Sequence, residues 1–177
     1  MDSKNSLTSE NFDQDREQGL RPGVVVCIIS KEAKVLLGLK KEYAIWEFPQ
    51  GGIEKDEGLS DAIVREIKEE LGSDFSESLF VPNEPLIAVD QVIFPKENTK
   101  DRVLEVNGKK IPMTGKKYYF CVAAQVKDIA PAAGEYSDFK WVSFENGNKL
   151  VDTISQKGKK RVLKKALEVL KGGELII

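Results

Sequence analysis

The sequence predicts an α/β chain in which a mixed β-sheet is held between helices. Three observations lead there. Strand-like, β-branched runs occur early and again after the middle of the chain, one strongly amphipathic helix lies between them, and a second apolar-faced helix closes the sequence. At 177 residues, with 41% hydrophobic and 32% charged content, the chain is long enough to bury a full core and ordinary in composition for a globular protein.

Residues 1–19 are polar with only isolated large apolar side chains, and read as a mobile tail ahead of a single domain over 20–177. Order is expected to begin near Arg21-Pro22. GVVVCIIS (23–30) is a continuous β-branched run, KVLLGLK (34–40) follows a short polar turn, and AIWEF (44–48) leads into Pro49 and a glycine loop. In DAIVREIKEEL, Ile63, Ile67 and Leu71 recur every four residues with Val64 beside them, which is a helix facing a core. Ser60 offers its N-cap, and Gly72 stands where a left-handed C-terminal cap is expected. LIAVDQVIF (86–94), KKYYFCVAAQV (117–127) and FKWVSF (139–144) are further strands, and Asn107-Gly108 between strand-like arms signals a hairpin. The closing helix spans 158–171 with Val162, Leu163, Ala166, Leu167 and Leu170 as its buried face.

Composition excludes several chemistries. The chain has no histidine, so Ser-His-Asp and Cys-His nucleophiles and H-E-x-x-H zinc sites are ruled out. A net charge of −2 gives no global attraction to nucleic acid, so RNA contacts would rest on local patches. Cys27 and Cys121 sit in apolar runs and read as buried reduced thiols of a cytoplasmic protein. No apolar run reaches the ~18 residues a membrane span needs, and no secretory signal is seen.

Glu66, Glu69 and Glu70 are related as i, i+3 and i+4 and share one helix face. That face is turned roughly 120° from the apolar stripe, so the helix docks on a core and presents an acidic cluster. Most Glu-rich faces are merely solvated beside cations one turn away. Here Ala62, Ser73 and Asp74 fill such positions, and Arg65 and Lys68 are expected to point elsewhere. Carboxylates about 6 Å apart repel by ~0.7 kcal/mol per pair in water-like surroundings and by ~3 kcal/mol at an effective dielectric of about 20. A hard divalent cation removes that cost, which points to Mg²⁺ or Mn²⁺.

Gly51, Glu57, Arg65, Glu66, Glu69, Glu70 and Gly72 together follow the spacing G-x5-E-x7-R-E-U-x-E-E-x-G-U, where U is usually bulky and apolar. The stretch resembles the signature box of the Nudix hydrolases. Ser73 departs from it and is expected to affect packing more than chemistry. The resemblance implies the α/β/α Nudix fold and an enzyme that cuts a phosphoanhydride bond with Mg²⁺ or Mn²⁺. It implies that Glu66, Glu69 and Glu70, with the Gly51 carbonyl, hold the metal, and that Arg65 orients a metal-side glutamate. Glu57 is open to three roles: structural residue, further ligand or water-bridged acid. Gly51 and Gly52 let the loop backbone approach metal or phosphate.

Flanking residues narrow the family. WEFPQGGI (46–53), the opening Arg21-Pro22 and GEYSDFKWVSF (134–144) look like segments of bacterial RNA pyrophosphohydrolases and related dinucleoside polyphosphate hydrolases. That likeness implies Glu135 as the group activating water and Arg21 as a terminal-phosphate ligand. Gln50, Gly52, Lys40 and Lys157 complete the expected substrate-binding set. Trp46, Phe48 and Trp141 are read as core. Most lysines of QKGKKRVLKK (156–165) are explained by solvation near a helix dipole, while Lys157, Lys159 and Lys160 fall where the RNA enzymes contact 5′ phosphates. Gln156 stands near where those enzymes carry a base-stacking aromatic; Tyr118, Tyr119 and Phe94 are candidate substitutes.

The expected substrate is the 5′-triphosphate or diphosphate end of RNA, converted to a monophosphate end. A dinucleoside polyphosphate such as diadenosine tetraphosphate comes next, and a nucleoside triphosphate, disfavoured by Gln50, third. A non-catalytic Nudix domain that binds nucleotide or RNA is the reading from another class. Such domains typically lose box glutamates, and this box keeps all four. Oligomeric state is not legible.

Overall fold

The computed structural model describes residues 7–99 and 101–177. In chain order they form α1 (Ser9–Glu17), β1 (Leu20–Ile29), β2 (Val35–Lys40), β3 (Ile45–Glu47), β4 (Gln50–Gly52), α2 (Leu59–Leu71), α3 (Ser73–Glu77), β5 (Leu79–Phe80) and β6 (Leu86–Ile93). There follow β7 (Val103–Val106), β8 (Lys109–Pro112), β9 (Gly115–Gln125), β10 (Tyr136–Val142), α4 (Phe144–Asp152) and α5 (Lys157–Gly172). Eight strands make one sheet in the order β10-β2-β1-β9-β5, with β3 on β2, β4 on β1 and β6 on β9. The sheet is mixed because β1 runs parallel to β9, from Leu20 opposite Gly115 to Ile29 opposite Ala124. The other described pairings are antiparallel.

β1 reads as an unbroken apolar run because both its faces are covered. Val24, Val26 and Ile28 pack with Phe12 of α1 and Ile63, Ile67 and Leu71 of α2. Val25 and Cys27 pack with Val162, Leu163, Ala166, Leu167 and Leu170 of α5, the expected buried face of that helix. Helices therefore cover the sheet on both sides, as expected. Cys121, opposite Val26 in β9, shares the α2 face while Cys27 faces α5, so the two buried thiols are neighbours on opposite sides of the sheet. Burial pushes the Cys121 thiol up to about 12.

Helix α1 corrects the expectation of a mobile tail through residue 19. The Thr8 amide donates to Asn11 Oδ1 at 2.9 Å at the helix start. Phe12 is fully buried, edge-on to Tyr119 with ring centres 5.1 Å apart. Composition hides this helix because its other buried residues, Asp15 and Arg16, are charged and paired. Residues 1–6 of the expected tail lie outside the described residues.

Two further boundaries move. Helix α2 is capped by the backbone of Gly58, whose carbonyl accepts from Ala62 N at 3.0 Å, and not by Ser60. Burial of Leu59 draws the helix start forward, and Leu59 and Ala62 fill the stripe position expected of Val64, which is exposed. β10 ends at Val142, and Ser143 caps α4 by accepting from Asn146 N at 3.3 Å, so Ser143-Phe144 leave the strand. The Asn107-Gly108 turn joins β7 to β8 with φ of 50° and 76°, the positive angles such a hairpin needs. Among the described residues no helix is long and apolar enough to cross a membrane.

Candidate active site

The site forms where β4 lies against α2. β4 pairs with β1, Val24 opposite Gly51 and Gly23 opposite Gly52. This brings the loop so near the helix that a Cβ on Gly51 would lie 2.0 Å from Glu66 Oε1. A Cβ on Gly23 would come within 3.2 Å of the Gly51 carbonyl oxygen. Glycine is needed at Gly51 for close approach, not for its backbone angle.

Arg65 does not point away from the acids; that expectation is corrected. Its Nε donates to Glu57 Oε1 at 2.7 Å, and its Nη2 to Glu57 Oε2 at 2.9 Å and the Gly52 carbonyl at 2.8 Å. Its Nη1 reaches Glu66 Oε1 at 2.7 Å and Glu69 Oε2 at 3.2 Å. Glu69 is one turn on from Arg65, and the planar fork spans several oxygens at once. The Glu57 bonds, outweighing burial and joined by Glu66, hold the guanidinium more firmly charged than usual. Burial disfavours charge on Glu57, yet Arg65 and the Glu54 amide hold its carboxyl below the ordinary range.

Glu66 and Glu70 are buried, whereas Glu69 is exposed. Glu70 Oε2 accepts from Gln50 N at 3.1 Å and from the Tyr136 hydroxyl at 3.0 Å, and Oε1 lies 3.7 Å from Lys40 Nζ. Burial pushes Glu70 up to about 7; Lys40, Tyr136 and the Gln50 amide oppose it, while Glu66 adds to it. Burial also raises Glu66, against the pull of Arg65, with Glu69 and Glu57 adding to the rise. Lys40 in turn pairs with Glu135, which is exposed in the loop before β10. Burial disfavours its ammonium, but Glu135 and Glu70 overcome that and raise it. Lys40, expected to bind substrate, thus bridges two expected catalytic acids as well as lining the cleft beside them.

Among the described residues no three acidic side chains already converge as a metal cage. Arg65 and Lys40 stand between them as internal counter-charges. The donor set still suits a hard cation: all are oxygens, two are buried carboxylates whose charge is disfavoured, and the side-chain-free Gly51 lets Glu66 lie against the loop. Glu66, Glu69, Glu70 and the Gly51 carbonyl would hold Mg²⁺ or Mn²⁺. Glu57, with both oxygens engaged by Arg65, fits the structural role of the three left open.

A cleft of about 600 Å³ opens beside this face, and Arg21, Lys40, Gln50 and Gly52 line it. The Arg21 guanidinium rests against Gly52, where a Cβ would lie 2.7 Å from Nη2. Lys157 does not line the cleft but sits exposed beside Lys160 and Arg161; Lys159, two residues on, takes its place. Helical phase explains the exchange, since Lys159 turns inward against Glu47 while Lys157 turns out. Lys116 joins the cationic lining, its ammonium disfavoured first by burial and then by Arg21, Arg102 and Lys159. Such a concentration of positive charge suits a polyphosphate.

Of the candidate stacking rings, Tyr118 and Phe94 line the cleft. Tyr119 does not; it is buried with its hydroxyl on Asp15. Besides Lys116, three residues here were not singled out from the sequence. Tyr43 is exposed in the cleft with Lys159 Nζ 5.7 Å from its ring centre, an aromatic delivered by a remote loop. Glu47 is buried on the cleft wall, and its Oε2 meets Lys159 Nζ by charge without the alignment of a hydrogen bond. Tyr136 is fully buried under Glu70, and a Cβ on Gly38 would overlap its ring; the aromatic after Glu135 was its only sequence signal.

Residues 19–165 match the family profile described as the NUDIX domain. The chain belongs to the Nudix family of hydrolases. An RNA pyrophosphohydrolase of Campylobacter jejuni is 28% identical over 159 residues, 85% of this chain and 94% of that protein. One of Marinomonas sp. is 27% identical over 131 residues, 71% of this chain and 77% of that protein. The fold is similar to the Ap4A hydrolase of C. elegans in a binary complex, with TM-score 0.56, 19% identity, and coverage of 87% of this chain and 99% of that one. In this Nudix hydrolase, Gly72 ends α2 at φ 91° and the departing Ser73 opens α3, exposed, while Phe75 supplies the buried apolar group.

Proposed function

We propose that this Nudix hydrolase removes phosphates from the 5′-triphosphate or diphosphate end of RNA, leaving a monophosphate, with Mg²⁺ or Mn²⁺. The observation that carries this is that Glu66 lies against Gly51, and Glu70 against Gln50 and Lys40, three residues of a cleft also lined by Arg21, Lys116 and Lys159. One side suits a cation and the other a chain of phosphates. The RNA pyrophosphohydrolase relatives, alignable over most of their length, favour an RNA end over a free nucleotide.

When bound, the metal neutralises phosphate charge and lowers the pKa of an attacking water. Glu66, Glu69, Glu70 and the Gly51 carbonyl are its ligands in this reading. Arg65 keeps Glu66 oriented and ties the Gly52 carbonyl to the helix. Glu135, held by Lys40, takes the proton of the attacking water. Arg21 and Gln50 orient the phosphates, and Tyr118, Phe94 and Tyr43 offer faces for bases. Placement and charge neutralisation supply most of the rate gain.

The test is to incubate the protein with triphosphorylated RNA, diadenosine tetraphosphate, ADP-ribose and GTP, each with Mg²⁺ or EDTA. Triphosphorylated RNA is expected to be turned over fastest, and EDTA to abolish turnover. Faster cleavage of diadenosine tetraphosphate would reassign the substrate. Equal rates in EDTA would remove the metal.

A further inference from the structure

The N-terminal helix reaches the catalytic loop through one side chain. Arg16 is buried; its Nη2 donates to the Ile53 carbonyl at 2.6 Å and its Nη1 pairs with Asp13 at 2.7 Å. No other described hydrogen bond goes to that carbonyl. Ile53 directly follows Gly51-Gly52, and its amide donates to the Pro22 carbonyl at 3.0 Å. The loop is therefore gripped from β1 on one side and α1 on the other.

The helix that carries Arg16 is itself fixed to the sheet. Phe12 packs on Tyr119, and Asp15 accepts from the Tyr119 hydroxyl and from Lys117 Nζ at 2.8 Å, both on β9. After α1 the chain reverses at Gly19, φ 79°, whose carbonyl accepts from Thr114 N at 2.8 Å. A guanidinium held this way is a rigid strut, and its bond to a buried carbonyl is charge-assisted.

The geometry points to Arg16 as a positioning residue for the metal-side loop: through Ile53 it fixes the carbonyls of Gly51 and Gly52, and through the Gly52–Arg65 bond it sets the box carboxylates. This rests on the metal-dependent reading above. A segment whose composition reads as a mobile tail is then a working part of the site.

The test compares the full-length wild type with Arg16→Gln, Arg16→Lys and Phe12→Leu. Mn²⁺ binding is measured by calorimetry, and amide exchange is followed at Gly51, Gly52 and Ile53. Phe12→Leu loosens α1 through the core but leaves the Arg16–Ile53 bond. Arg16→Gln is expected to weaken Mn²⁺ by roughly ten-fold, as losing an outer-shell support does, and to speed exchange in the loop but not in α5. Arg16→Lys recovers part of both, and Phe12→Leu lowers the melting temperature with neither change. If Arg16→Gln does not fold, Arg16→Lys decides by the same two readouts against Phe12→Leu. Unchanged Mn²⁺ affinity and loop exchange in the folded Arg16 variant would overturn the inference, as would the same changes in Phe12→Leu. A wild type that binds no Mn²⁺ would instead sink the metal reading, and loop exchange alone would still decide the role of Arg16.

Discussion

The Glu66 carboxylate lies in the space a side chain on Gly51 would need, with Oε1 2.0 Å from where that Cβ would stand. Loop and helix are fitted at contact distance, and one methyl group forces them apart. Gly51→Ala is expected to fold, because the position has no positive φ, but to lose turnover by roughly a hundred-fold, the cost of misplacing a reacting group by about 1 Å. Steady-state kinetics beside circular dichroism measure it; full activity would mean the contact has no part in catalysis.

Glu69 is the exposed member of the acidic face, so its removal separates chemistry from folding. Glu69→Gln should shift stability by no more than about 0.5 kcal/mol, the usual range for a surface change. It should also lose most of kcat. Near-normal Mg²⁺-dependent turnover in this variant would take Glu69 off the ligand set.

Arg65 donates to Glu57, Glu66, Glu69 and the Gly52 carbonyl. Lysine keeps the charge but not the fork. Arg65→Lys is expected to lower unfolding stability by roughly 2 kcal/mol, the scale of losing hydrogen bonds to charged groups, and to reduce kcat. Urea titration checks the first and initial rates the second; wild-type values for both would show that charge alone suffices.

Glu70 gives a pH signature in the metal-free protein. Its ordinary value is 4.5, and the folded chain raises it to about 7. Between those values the native state holds a proton that the unfolded chain has released, so stability is full below the lower value and falls as pH rises through the upper. The change is up to roughly 3 kcal/mol. Melting curves in EDTA should decline from about pH 5 to pH 8. Glu70→Gln should flatten that decline, and Mg²⁺, which favours the ionised carboxylate, should reverse it. A profile in EDTA that is level for the wild type would contradict burial outweighing Lys40, Tyr136 and the Gln50 amide at Glu70.

Where a residue's signal is local, the sequence was enough to find it. The α5 stripe, the Asn107-Gly108 turn and the β1 run each depend on neighbours a few residues away, and the spacing of the box acids follows from helical geometry alone. Three kinds of residue stayed hidden. Arg16 and Asp15 are buried charges, which composition assigns to the surface. Tyr43 and Glu47 reach the cleft only because β3 folds back beside the start of α5. The inward turn of Lys159 in place of Lys157 depends on where that helix begins, a matter of one or two residues that charge patterns do not fix.

The parallel pairing of β1 with β9 means that the glycine loop and the entire acidic helix are encoded between two strands that must meet across a long stretch of polypeptide. During synthesis the box is complete well before Gly115 has left the ribosome, yet the sheet that carries it still lacks its central partner. A nascent chain halted there would contain all four acids of the box and have no framework to align them. The acids of the box are therefore aligned by a long-range strand pairing, of the kind that costs most chain entropy to form, and not by the motif itself.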